Sequence, residues 1–195
     1  RTEWTAGLGV KLLSEDNKVD LVYWVGCTAA LEDRNMKVAM AMAKILQAAG
    51  INFGILGPEE TCCGEPARRM GNEYLFQVQA QKNIEIFKGY NMRKLVTTCP
   101  HCFNTIKKEY PQFGGEFEVV HHSQLIAQLL KEGRIESKVP LQKAITYHDS
   151  CYLGRYNDIY EQPRHIIEMI SGRRPLEIER HRKTSFCCGG GGGRF

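Results

Sequence analysis

Cys27, the vicinal pair Cys62 and Cys63, and the pair Cys99 and Cys102 form one set of thiols, while Cys151 and the vicinal pair Cys187 and Cys188 form a second. Deprotonated thiols are soft ligands suited to zinc and to iron-sulfur centres. A disulfide framework accounts for them poorly, because five thiols in the first set leave one unpaired and adjacent cysteines bridge only through a strained ring. The C-x-x-C stretch "CPHC" at Cys99 to Cys102 suits a zinc knuckle, and Cys62, Cys63, Cys99 and Cys102 could make a tetrahedral site. Zinc takes four ligands, whereas the first set offers five, two of them adjacent. That excess favours a polynuclear iron-sulfur centre, with zinc as the alternative. A third chemistry, thiol-disulfide exchange at Cys99 and Cys102, stays open.

These thiols need elements to hold them. The apolar run "VDLVYWVGC" reads as a buried strand ending at Cys27, and "LEDRNMKVAMAMAKILQAAG" as a helix closed by Gly50, with Met36, Met40 and Met42 as core side chains. "INFGILG" is a second strand running into "PEETCCGEP", "YLFQVQAQKNIEIFKGY" a helix ending near Gly89, and "RKLVTTC" a strand delivering Cys99. "FEVVHHS" gives a further strand, with His121 and His122 at an exposed edge, and "SQLIAQLLKEG" a helix capped by Ser123. Alternation of strand and helix predicts an α/β sandwich with a mostly parallel sheet and cysteines in loops beyond strand C-termini, where open sheets of this class place their ligands.

The pattern then restarts. "AITYHDSC" reads as a strand ending at Cys151, a turn with Gly154 and a helix around "PRHIIEMISG" follow, and a strand-like "PLEIER" precedes Cys187. Cys27 and Cys62 have 34 residues between them and Cys151 and Cys187 have 35, so two repeats are expected. Residues 1–18 read as an uninformative lead-in from a cut or processed end, 19–139 as the first domain and 140–195 as a partial second one. The second copy has no C-x-x-C, and the chain reads as ending within it.

The arrangement C-x34-C-C-G-x34-C-P-H-C, repeated in part by "HDSCYLGRYNDIYEQPR" and "SFCCGGGGGR", resembles the CCG domain. This is the cysteine-rich module of heterodisulfide reductase and its relatives, usually present in tandem, and the match runs from about Val19 onward. The resemblance implies a [4Fe-4S] cluster of noncubane type on Cys27, Cys62, Cys63, Cys99 and Cys102. Cys151, Cys187 and Cys188 match only the first three positions of that motif. It further implies an oxidoreductase subunit that reduces a disulfide or passes electrons between a flavoprotein and a quinone, or alternatively the iron-sulfur subunit of a glycolate or lactate oxidase. The most similar branch is membrane-associated and linked to electron-transfer flavoprotein, which places the expected partners in a redox complex and the expected location in the cytoplasm, at the inner face of a membrane.

Other residues have plausible roles beside these thiols. His148 and Arg155 are candidate catalytic residues; His148 and Asp149 stand beside Cys151 and His101 lies between two thiols, where an imidazole could protonate a reduced thiolate or donate to a cluster sulfide, though a backbone-satisfied histidine is the equal alternative. Arg68, Arg69, Arg155 and Arg194 could place positive charge near a cluster, or could belong to a solvated face. Gly64 and Gly154 read as turn residues, since no phosphate-binding glycine motif occurs. Gly189 to Gly193 could aim amide N-H groups at a cluster or form a loose tail. The net charge of +4 is scattered among both signs, so no nucleic-acid footprint is read, and no run reaches transmembrane length.

Overall fold

The computed structural model describes residues 2–139 and 141–190. Five strands form a single sheet in the order β1 (Lys11–Leu12), β3 (Phe53–Ile55), β2 (Leu21–Trp24), β4 (Lys94–Thr97), β5 (Glu118–His121), and every pairing is parallel. The helices, in chain order, are α1 (Cys27–Leu31), α2 (Asp33–Ala48), α3 (Glu65–Arg69), α4 (Glu73–Gly89), α5 (Pro100–Asn104), α6 (His122–Lys131) and α7 (Glu161–Ser171). β2 is central because its run Leu-Val-Tyr-Trp is apolar or aromatic on both faces, as a strand covered on both sides requires. Its alternate residues feed two cores: Val22 and Trp24 meet Phe76, Phe87 and Phe103, while Leu21, Tyr23 and Val25 meet Ala39, Met42 and Leu46.

The expected helix of the first crossover is α2, started by Glu32, whose carboxylate accepts from the Arg34 and Asn35 N-H groups. Ala39, Met42, Ala43 and Leu46 repeat at helical spacing along its buried face, and Met36 and Met40 lie partly buried beside them. The methionines are thus core residues, as read from the sequence.

Three expectations are corrected. The lead-in carries fold information: β1 pairs with β3 at Gly54 and Ile55, and Trp4 is buried against Tyr23. The strands expected at "AITYHDSC" and "PLEIER" reduce to one parallel bridge between Thr146 and Leu176, because among the described residues neither finds a further strand to extend its ladder. His121 and His122 are not an exposed edge. His121 is buried and is itself the cap of α6, its Nδ1 facing the Ser123 hydroxyl at 2.8 Å and accepting from the Ser123 N-H, so Ser123 is the capped residue. Its Nε2 lies 3.2 Å from the Thr98 carbonyl and donates to it, which fixes the tautomer.

Burial keeps both imidazoles neutral: it holds His121 well below its ordinary pKa and pushes His122 down to about 4. As pH falls below the unfolded value of about 6.5, the unfolded chain takes protons that the folded one refuses, so stability is complete above that pH and drains toward pH 4. Thermal unfolding between pH 7 and pH 4 should show a loss of about 2 kcal/mol or more, and His121→Asn, which can still cap α6, should flatten that slope.

The second repeat packs onto the first. Leu153 and Ile159 enter the core of Trp24 and Phe87, and α7 packs against α6. Asn157 donates to the Asn104 side chain at 3.0 Å, and the Lys108 ammonium to the Tyr156 carbonyl. Gly154 is required by close approach, since a Cβ there would stand 2.5 Å from the Tyr160 ring.

Candidate metal centre

The sheet places the first thiols. β2 is followed by β3 on one side and by β4 on the other, so the chain reverses its direction of winding between β2 and β4. In sheets of this class that reversal opens a crevice at the strand C-termini. Trp24 and Thr97 are register partners at those ends, which brings Cys27 and Cys99 out at one level. Cys62 and Cys63 arrive from the loop after β3, and Cys102 lies one turn into α5, whose cap is Cys99.

Three separate segments thus converge. Cys27 contacts Cys62, Cys62 its neighbour Cys63, Cys63 contacts Cys102 with the sulfurs 3.5 Å apart, and Cys102 contacts Cys99. The five thiols predicted from the sequence are one unbroken line, and all are free. Cys63 is held below the ordinary thiol range because the Cys102 and Cys62 thiols donate to it, and Cys99 is lowered by Cys102 in the same way. The donors undergo the opposite shift: contact with Cys62 raises Cys27, and contact with Cys63 and Cys99 raises Cys102. Among the described residues no three His, Cys, Asp or Glu side chains close on a single-ion position.

The glycine of each C-C-G serves its thiols. Gly64 and Gly189 have φ of 86° and 76°, a left-handed backbone that turns the Gly64 N-H onto the Cys62 sulfur and the Gly189 N-H onto the Cys187 sulfur, each at 3.4 Å. The Gly190 N-H meets the Cys188 sulfur at the same distance. The expected fan of amides therefore begins at Gly189 and Gly190; Gly191 to Gly193 and Arg194 lie outside the described residues.

The supporting residues include several that sequence reasoning missed. The buried Glu60 carboxylate accepts from the Val25 and Gly26 N-H groups at 2.9 and 2.7 Å, lacing the C-C-G loop to the turn before Cys27. Asn83 of α4 donates to the Cys62 carbonyl at 2.9 Å and to the Tyr110 hydroxyl, which donates onward to the Cys63 carbonyl at 3.0 Å. An asparagine on the apolar stripe of Phe76, Ala80, Ile84 and Phe87 was the available signal. Glu60→Gln would set an amide N-H₂ against backbone donors in a buried position. It should lower stability by about 2 kcal/mol in urea unfolding, the scale of a hydrogen bond to a charged group.

Two of the arginines, Arg68 and Arg69, are engaged by carboxylates, while the charge of Arg155 acts on Cys151 and Cys187. Arg68 pairs with Glu73 and Glu109 at 3.2 and 2.8 Å, and Arg69 pairs with Glu109 and with Glu65. Beside the first-repeat thiols lies His101, whose Nδ1 is 3.1 Å from the buried Glu65 carboxylate. Burial opposes its charge, but Glu65 and the Cys99 thiol outweigh burial and hold its pKa above the ordinary value. The His101 ring also rests 4.2 Å from that of Tyr152, next to Cys151.

In the second repeat Cys151 contacts Cys187. The candidates His148 and Arg155 face backbone: His148 Nε2 lies 2.8 Å from the Phe186 carbonyl, and Arg155 Nη1 donates to the Ser185 and Lys183 carbonyls at 2.5 and 3.3 Å. Asp149 takes both forks of the buried Arg164 at 2.7 and 2.8 Å and the Arg182 N-H at 2.6 Å. Ser150, Cys188 and Gly190 of this repeat line a cavity of about 350 Å³ together with Cys27, Cys99, Cys102 and His122 of the first.

The sequence profile of the cysteine-rich domain, CCG, matches residues 21–107 and 145–195, which carry all eight cysteines. The chain belongs to the CCG family. Proteins named from function are similar to it over nearly all its length. It is 43% identical over 200 residues to an EtfAB:quinone oxidoreductase of Syntrophomonas wolfei, covering 100% of this chain and 28% of that protein. It is 45% identical over 183 residues to a probable iron-sulfur-binding oxidoreductase, FadF, of Bacillus subtilis, covering 94% and 26%. It is 36% identical over 184 residues to one subunit of the dihydromethanophenazine:CoB--CoM heterodisulfide reductase of Methanosarcina mazei, covering 91% and 44%. The chain thus spans less than half the length of each of these proteins. No solved structure matches it significantly. Among the described residues no helix is long and apolar enough to cross a membrane.

Proposed function

We propose that this chain is the cluster-binding, electron-transferring part of an iron-sulfur oxidoreductase, with a [4Fe-4S] centre of noncubane type on Cys27, Cys62, Cys63, Cys99 and Cys102. The observation that carries the reading is the line of five thiols, drawn from three segments to the crevice between β2 and β4. The donor set fits: five sulfurs exceed what one tetrahedral ion accepts, and a polynuclear centre spreads them over several irons. When bound, such a centre supplies the site that takes up and releases electrons. The chain's own residues bind and orient it. Glu60 fixes the turn before Cys27, Asn83 and Tyr110 fix the carbonyls of Cys62 and Cys63, and the Gly64 N-H points at a ligand sulfur. Trp24 and Phe103, buried beneath, exclude water from that side.

The names of the similar proteins, a probable membrane-anchored ferredoxin of Chromohalobacter salexigens (38% identical over 198 residues) among them, support a place between a flavoprotein and a quinone within a larger, membrane-associated redox complex. Iron and acid-labile sulfide per chain, with an electron paramagnetic resonance spectrum of protein purified without oxygen, test the reading. About four irons per chain and a signal lost on reduction or oxidation are expected. Zinc in place of iron, or a folded chain that binds neither, would overturn it.

A further inference from the structure

The segment from Arg182 to Phe186 is tied down at five points before it reaches Cys187: Arg182 N-H to Asp149, the Ser185 hydroxyl to the Asp149 carbonyl at 2.9 Å, the Lys183 and Ser185 carbonyls to Arg155, and the Phe186 carbonyl to His148. Two of these ties come from one nitrogen, Arg155 Nη1. Beyond them the pair divides: Cys187 meets Cys151, while Cys188 and Gly190 join Ser150 in lining the cavity shared with the first-repeat thiols Cys27, Cys99 and Cys102.

Comparison of the repeats shows that this lacing is a shared device with its polarity reversed. Glu60 stands two residues before Cys62 and grips the backbone of Val25, two before Cys27. Ser185 stands two before Cys187 and grips the backbone of Asp149, two before Cys151. In the first repeat a buried carboxylate accepts from N-H groups; in the second a hydroxyl donates to a carbonyl. A hydroxyl alone is the weaker tie, and Arg155 reinforces it from the other side of Ser185.

We propose that Arg155 is a positioning residue that fastens the Cys187-Cys188 arm so that Cys188 walls the first-repeat thiol crevice and controls access to it. The second repeat then acts on the first site directly, through one of its own cysteines. The guanidinium is used as a single charged donor, not as a fork, so a lysine ammonium can replace it.

The test rests on the cluster reading and uses protein purified without oxygen. Arg155→Met should retain the iron content of the wild type but lose iron to a ferrous chelator at least about fivefold faster, and Arg155→Lys should stay within about twofold of wild type. Cys188→Ser should alter the resonance line shape of the first-site signal, Arg155→Met should alter it in the same way, and the double variant should add nothing. Wild-type chelation kinetics in Arg155→Met, or additive effects in the double variant, would overturn the assignment, as would failure of lysine to rescue. Absence of iron from the wild type would sink the cluster reading instead. The arm is then tested by diamide, which takes two electrons and two protons from Cys151 and Cys187 as their disulfide forms and becomes the hydrazine. Arg155→Met should slow that step, and an unchanged rate would sink this inference as well.

Discussion

Cys63→Ser should empty the first site, lowering bound iron by more than about tenfold, the loss that even indirect supporting changes can cause. Cys63 is the midpoint of the thiol line, touching Cys62 on one side and Cys102 on the other. Its removal breaks the line into two pairs, neither of which offers the ligands a polynuclear centre needs. Serine keeps the shape, so the fold should survive, as circular dichroism would show. Cys187→Ser is the contrast: it lies outside the line, and iron at the first site should be retained. Equal loss in both variants would show that the two sets act as one site. Full iron in Cys63→Ser would remove the line from the reading altogether.

Arg164→Met should cost about 3–5 kcal/mol, the scale found when one partner of a buried ion pair is removed. Arg164 and Asp149 each have side chains only 1% exposed, and Arg164 also bonds Glu177 at 2.6 Å and the Tyr160 carbonyl at 2.9 Å. Burial opposes ionisation of Asp149, yet Arg164 and the Arg182 N-H hold its carboxyl below the usual range. Without the guanidinium that carboxylate is left charged in an apolar setting. Glu177 is partly exposed and can turn to water, so the penalty falls on Asp149. Since Asp149 anchors the segment before Cys187, proteolysis between residues 173 and 187 should accelerate by at least about tenfold, while first-repeat iron largely persists. Adding Asp149→Leu should recover part of the lost stability, because the stranded charge goes with it.

The legible parts of this protein are those where one physical requirement dominates a short stretch. "LVYWVGC" is buried on both faces and can be little but a central strand, and α2 shows its apolar stripe plainly. The five thiols were legible because sulfur ligands are rare enough for their spacing to carry meaning. The structure of the second repeat was not, since "AITYHDSC" has the composition of a strand but strand pairing depends on neighbours that local sequence does not supply. His121 misled because a polar pair at a strand end resembles a surface, whereas its capping of α6 is visible only once the helix is placed. Glu60 stayed hidden for a similar reason: its partners are backbone N-H groups 34 and 35 residues away. Arg155 and His148 were found as residues near a thiol, but their targets, carbonyls of the facing segment, belong to tertiary structure.

The convergence of Cys27, Cys62 and Cys99 from the ends of three parallel strands also governs when the site can come into being. Parallel strands need crossover connections, so β3 and β4 reach β2 only after long stretches of chain have been gathered, and such non-local pairings form slowly. The three groups of thiols, Cys27, the Cys62-Cys63 pair and the Cys99-Cys102 pair, are therefore far apart along the nascent chain and become neighbours late. On the proposed reading, a centre that needs all five thiols together waits on the sheet, and slow pairing would delay its loading however abundant the metal.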